Sequence, residues 1–187
     1  MPNPLGVLLR HRRAGQDTLV WARPKLQAPG NLTLTSPAFE PGTPIPARHR
    51  GRLLGPNVSP GLCWTPPPTG TLELVLVVED PDAPRREPAV HVLAAGISPL
   101  LRGIGENALA SPSPIAGLRH GRGTLGHLGW FGPAPVPSHG PHTYVFELFS
   151  LDRRLVLPER FTLDDAVEAM AGHVLGRARL DGTYEIA

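Results

Sequence analysis

The chain has 187 residues, a formal net charge of +2 and one cysteine, Cys63. A single thiol closes no intrachain disulfide and builds no cysteine-rich zinc site, and no stretch approaches the ~20 apolar residues of a membrane-spanning helix. With 21 glycines and 24 prolines, about twice the ordinary ~12% share, long helices are disfavoured and a strand-rich, loop-rich domain is predicted.

The densest basic segment is Arg10, Arg12, Arg13, Arg23 and Lys25, with only Trp21 among them, so no stacking surface for nucleic acid is expected. Met1 to Leu9 is a short apolar patch followed by that basic cluster. A secretory signal has the opposite order, and a cytoplasmic location is the expectation. Residues 1–31 end at Pro29-Gly30 and read as an N-terminal extension that packs on the main body or forms an edge; residues 32–187 read as the domain itself.

Within that domain, Leu32 to Thr35 alternates like a short strand, and 41–46 is a Gly/Pro loop. Leu72 to Glu79 (LELVLVVE) is apolar on both faces and predicts a buried central strand. It stops at the rigid turn Asp80-Pro81-Asp82-Ala83-Pro84. Ala89 to Ala95 predicts a second strand, paired with the first as a hairpin. By the period of two, its His91 shares a face with Ala89, Leu93 and Ala95. Residues 98–141 are irregular, a length typical of functional loops. Thr143 to Leu151 (TYVFELFSL) predicts a third strand, with His142, Tyr144, Phe146 and Leu148 on one face. Thr162 to Arg179 predicts a helix, capped by Thr162 and carrying the stripe Leu163, Val167, Met170, Val174 and Ala178. A last short strand is expected over 182–186. No repeat or linker separates two domains.

The chemistry-bearing residues fall in three places: Asp80 and Asp82 at the end of a strand, His91 in the next, and His139, His142 and Tyr144 around the start of a third. If these strands are neighbours, the polar groups converge on one rim beside a Gly-rich loop whose N–H groups favour anions. The plainer alternative is that Asp-Pro-Asp is only a turn and the histidines are satisfied core residues. Ser138 beside His139 is not the geometry of a nucleophile with its base. His139-x-x-His142 with Asp80 is a poor preformed metal site, and no metal or cofactor is expected.

DPDAP at 80–84 followed by Val90-His91 resembles the phosphatidylethanolamine-binding protein family, also called Raf-kinase-inhibitor-like proteins, in its bacterial and archaeal branch. SPAF at 36–39 with Ile45-Pro46, Asn57-Val58-Ser59-Pro60 with Trp64 and PPPTGT at 66–71, Gly132-Pro133, HGPHTY at 139–144, Ser150-Leu151-Asp152, GHVL at 172–175 and Gly182-Thr183-Tyr184 resemble further family segments in the same order. The resemblance implies a mainly β, sandwich-like fold: a large central antiparallel sheet, a smaller second sheet and peripheral helices, one of them C-terminal. It also implies a non-enzymatic binding protein with a small pocket for phosphate, acetate or a phosphoryl headgroup. Asp80, Asp82, His91, His142 and Tyr144 fall on the family's pocket positions, and Gly132 and Pro133 on the loop lining it. The arginine usual after the second pocket histidine is Thr143 here, which removes a cation near the pocket.

The partners so implied are a small phosphorylated ligand or a phosphorylated or acidic group on another protein, a kinase among them. A homodimer is expected by likeness to bacterial relatives. Two alternatives stay open. One is a hydrolase of phosphoryl or acyl esters with His91 or His142 as general base and Asp80 as its orienter. The other is an interaction scaffold with a vestigial pocket. An anion beside two aspartates requires compensation, and a carboxylate hydrogen-bonded to His91 or His142, favouring the charged imidazole, is the expected remedy.

Overall fold

In the computed structural model, which describes residues 1–187, two antiparallel sheets lie face to face. The small sheet joins β1 (Leu34–Thr35), β2 (Leu62–Trp64) and β5 (Gly103–Ile104) in the order β1-β2-β5. The large sheet comprises β3 (Glu73–Asp80), β4 (Ala89–Ile97), β6 (Arg119–His120), β7 (His142–Leu151) and β8 (Val174–Tyr184), ordered β6-β4-β3-β7-β8. The β3–β4 hairpin expected from the sequence is present, and β3, its residues all buried, sits at the centre.

A strand buried on both faces needs a cover on each. On one side, Leu76, Val78, Val92, Tyr144, Phe146 and Leu148 meet Leu34, Leu62, Trp64 and Ile104 of the small sheet. On the other, Val75, Val77, Leu93, Ala95 and Phe149 lie beneath Val20 and Leu26 of the N-terminal segment, Phe161, and Ala166 and Met170 of helix α2 (Leu163–Met170). The N-terminal segment carries its own short helix, α1 (Pro4–Leu9), capped by the Asn3 side chain. Leu19, Val20 and Leu26 are fully buried, so this segment is part of the second core.

Two expectations are corrected. The helix expected to run from Thr162 to Arg179 stops at Met170, and the short strand expected over 182–186 is the end of a longer one, Val174–Tyr184. The start is as read: Thr162 and Asp165 form a reciprocal capping box. Gly172, at φ +78°, turns the chain out of the helix. Beyond it Gly176, Ala178, Leu180 and Gly182 are buried in alternation, and β8 pairs with β7 from Val174 to Tyr184. Val174 and Ala178 fit a spacing of four as well as one of two, and the ladder with β7 decides between them.

A third correction concerns His91. Opposite β3, Val92 pairs with Val78 and Val90 with Glu79, so His91 is the extra residue of a β-bulge. Leu93 and Ala95 face the second core. His91 instead shares the face of Val92 and stands edge-on to Tyr144, with ring centroids 5.0 Å apart. The bulge turns an imidazole that strict alternation would have sent under the N-terminal segment toward the opposite side of the sheet.

Candidate functional site

Asp80 ends β3, His91 sits in the bulge of β4, and His142 and Tyr144 open β7. Because these strands are adjacent, all four side chains line one cavity of about 190 Å³ at the end of the large sheet. The remaining wall is mostly apolar, with Val90, Phe131, Ala134 and Pro135 prominent. Leu125 stands at the rim, 94% exposed.

The cavity floor is a linear hydrogen-bonded array. Asp80 Oδ2 lies 2.7 Å from His142 Nδ1, His142 Nε2 lies 2.8 Å from His139 Nδ1, and His139 Nε2 lies 2.8 Å from the Leu9 carbonyl oxygen. Asp80, His139 and His142 are at most 3% exposed. The second oxygen of Asp80 accepts from the Asp82 backbone N–H at 2.8 Å. Both oxygens of Asp80 and both ring nitrogens of His142 are therefore engaged within the protein.

The groups left free are His91, Tyr144 and the unpartnered Nδ1 of His127. His91 Nδ1–H donates to the Phe131 carbonyl, which leaves Nε2 as an acceptor. Burial, only partly offset by Asp80 and the Phe131 carbonyl, holds the His91 pKa below its ordinary 6.5, so the ring is neutral near pH 7. The Tyr144 hydroxyl is buried and has no hydrogen-bond partner. Burial first, then Asp80, pushes its pKa well above 10, so it stays a donor.

Asp82, Gly132 and Pro133 stand outside this lining. Asp82 Oδ2 accepts from the Thr143 N–H at 2.7 Å, and its Oδ1 pairs with Arg13 at 2.7 Å. Gly132 N–H donates to Asn57 Oδ1 at 2.9 Å, and the Pro133 carbonyl accepts from Gly51 N–H at 3.0 Å. A Cβ on Gly132 would overlap the His49 carbonyl oxygen. These contacts anchor the loop whose neighbours, Phe131 and Ala134, form the cavity wall. A larger open hollow of about 640 Å³ lies on the small sheet, but its charged side chains, Arg48 and Glu106, are paired with each other at 2.8 Å.

Sequence reasoning missed the contribution of the N-terminal segment. Arg13 also donates to the Pro141 carbonyl at 3.2 Å, Ala14 N–H to the Ala83 carbonyl at 3.2 Å and Gly15 N–H to the Pro81 carbonyl at 2.9 Å. Asn3 N–H donates to Ser138 Oγ at 3.0 Å. This segment thus binds both turns that carry the site. No motif marks such contacts, since the partners lie far apart in the sequence. His139 was legible only as a neighbour of His142, not as a member of the array.

Residues 35–185 match the family model described as phosphatidylethanolamine-binding protein. The chain is 38% identical over 153 residues to a UPF0098 protein of Methanothermobacter thermautotrophicus, covering 82% of this chain and 98% of that one. It is 40% identical over 154 residues to a Mycobacterium tuberculosis protein named "Putative lipoprotein LppC", covering 82% of this chain and 72% of that one. Among solved structures, CT736 of Chlamydia trachomatis is similar with a TM-score of 0.75 at 33% identity, covering 84% of this chain and 99% of that one. YbcL of Escherichia coli shares the fold, with a TM-score of 0.76 at 24% identity over 83% of this chain and 99% of its own. No helix of this chain is long and apolar enough to cross a membrane.

Proposed function

The chain belongs to the phosphatidylethanolamine-binding protein family, and on that premise we propose that it is a non-enzymatic binding protein whose cavity takes one small oxyanion, a phosphate or the phosphoryl group of a larger molecule. The observation that carries this reading is the Tyr144 hydroxyl, a buried donor without a partner among the cavity-lining residues. A buried hydroxyl left unmatched costs about 1–3 kcal/mol, which a ligand oxygen would recover. A cavity of about 190 Å³ is small beside the ~300–1,000 Å³ of drug-sized sites and suits a compact group.

The neutral His91 adds a specific demand. Its free Nε2 accepts rather than donates, so the oxyanion binds together with one proton, held either on the ligand as P–OH or on His91. Affinity for inorganic phosphate should therefore increase as pH falls. ³¹P NMR titration at about pH 5.5 and about pH 8 tests this. Tighter binding at the lower pH is expected, and equal affinity at both would overturn the reading.

The hydrolase alternative gains no support from the geometry. Asp80 orients His142 rather than His91, and the other nitrogen of His142 is bonded to His139. The phosphoryl group belongs to a small phosphorylated ligand or to a phosphorylated protein, a kinase being the partner the family's second name suggests. A cytoplasmic location is part of the proposal.

A further inference from the structure

The array on the cavity floor constrains its own protons. The Leu9 carbonyl can only accept, so His139 Nε2 must carry a hydrogen. The His139–His142 and His142–Asp80 contacts each need one hydrogen as well. Three hydrogen bonds in series need three protons. Two neutral imidazoles bring two, and the third cancels the charge of the Asp80 carboxylate, leaving the array at net zero.

Without the Leu9 carbonyl the count changes. His139 Nδ1–H could donate to His142 Nε2, and His142 Nδ1–H to an ionised Asp80. Two protons would then satisfy both bonds, and the floor would carry one negative charge. The Leu9 carbonyl thus calls for one proton more. The same segment brings a second compensation, because Arg13 meets Asp82 at 2.7 Å and the Pro141 carbonyl at 3.2 Å. The other titratable groups of the cavity, His91, His127 and Tyr144, supply no positive charge near neutral pH: burial lowers both histidines and raises the tyrosine.

We propose that residues 9–13, upstream of the matched region, are a working part of the binding site. The Leu9 carbonyl calls for the proton that cancels one negative charge on the cavity floor, Arg13 offsets a second on Asp82 outside the lining, and together they admit an anion. Both are positioning groups, since neither lines the cavity. Arg13 brings a cation from a distant part of the chain to Asp82 and the Pro141 carbonyl. This inference rests on the oxyanion reading for its consequence, though not for the proton count itself.

The 187-residue chain allows the two contributions to be separated. Gly6 is buried against residues 137–139, where a Cβ would overlap the Pro137 carbonyl oxygen, so Gly6→Val lifts α1 and the Leu9 carbonyl away from His139. Arg13→Ala removes the ion pair and leaves α1 seated, while Arg13→Lys restores a point charge. Inorganic phosphate and O-phosphoethanolamine are the probes, followed by calorimetry near neutral pH. Each of Gly6→Val and Arg13→Ala should weaken both probes by about tenfold, the size expected of one partly screened charge several ångström away, with Arg13→Lys recovering much of the loss.

Imidazole ¹⁵N spectra provide a readout that a merely structural role would not move. The parent should show His139 protonated at Nε2 and three protons shared over the array, and Gly6→Val should show one fewer. Parent affinity retained in both variants, or a parent spectrum with His139 Nε2 unprotonated, would overturn the inference. If the parent binds neither probe, the oxyanion reading fails and the imidazole spectra still decide the proton count. If Gly6→Val does not fold, the parent spectrum and the Arg13 pair decide.

Discussion

Glu79 and Glu147 lie on adjacent strands beneath the N-terminal segment, at most 1% exposed, and close enough for the charge of Glu79 to act on Glu147. Glu79 also accepts from the Val20 N–H at 2.8 Å. Two carboxyl groups buried so near each other resist ionising together. Burial pushes Glu79 up to about 7, and burial together with the neighbouring Glu79 pushes Glu147 well above its ordinary value.

The consequence for stability follows from proton counting. Between the unfolded value of 4.5 and the raised folded values, the native state binds more protons than the unfolded chain, so this pair's contribution is fully present below about pH 4.5 and is lost as pH rises through about 7 and beyond. At ~1.4 kcal/mol per pH unit per group, the loss is on the order of 3 kcal/mol for Glu79. Glu147→Gln keeps the shape of the side chain and takes one titrating carboxyl out of the pair. Urea unfolding at about pH 8 should find it ~1–3 kcal/mol more stable than the parent, and at about pH 4 no more stable. A variant less stable at both would show that the pair is not protonated in this way.

His91, His120 and His127 act with the opposite sign. Burial lowers all three below 6.5, so the unfolded chain takes up protons first and their contribution is lost as pH falls through and below about 6.5. His120→Gln, at a site outside the cavity, should reduce the acid-side loss by up to ~1 kcal/mol per pH unit. Parallel denaturation curves of parent and variant across about pH 5 to 7 check it, and identical slopes would contradict it.

Tyr144→Phe separates binding from folding. The ring remains packed between β3, β4 and the small sheet, and only an unpartnered hydroxyl is lost. Thermal stability should be unchanged or up by ~1 kcal/mol, because a desolvated polar group has been removed. Phosphate affinity should fall at least about tenfold, the value of one buried hydrogen bond to a charged acceptor. Stability lost with affinity retained would mean the hydroxyl serves the fold instead.

What could be read from the sequence followed the range of the interactions involved. β3 was legible because Leu74 to Val78 is apolar on both faces, and β7 because Thr143 to Leu151 is rich in aromatic and β-branched residues. The meeting of Asp80, His91, His142 and Tyr144 was legible as a conditional: it follows once three strands are neighbours. The face of His91 was not, because a bulge is set by how β4 meets Val78 and Glu79 and leaves no mark on β4's own alternation. Nor was Arg13, whose partner Asp82 lies in a distant turn. The C-terminal boundary failed for a local reason: within the span that the apolar spacing reads as helix, Gly172 is a turn and Gly176 lies in a strand.

That boundary can be tested alone. At φ +78°, Gly172 occupies the left-handed region, and a Cβ there would meet no atom within 4 Å. Gly172→Ala therefore adds backbone strain and no clash, and should cost about 1 kcal/mol. Chemical denaturation should show that loss with phosphate affinity unchanged. A continuous helix from 162 to 179 would instead gain stability from the same substitution.

His142 gives the sharpest test of how site and fold are divided. Both of its ring nitrogens are bonded and it is 1% exposed, so its removal leaves Asp80 Oδ2 and His139 Nδ1 buried without partners. Breaking a buried charged pair from one side costs roughly 3–5 kcal/mol. His142→Ala should thus lower stability by about that amount whether or not a ligand is present, and any loss of binding would be indirect. His142→Gln, which can still reach one neighbour, should recover part of it. Calorimetric unfolding of the two variants, each with and without saturating phosphate, separates the cases. If His142→Ala kept parent stability and lost only affinity, the imidazole would be a direct ligand contact and the array would not be the element that holds the cavity floor together.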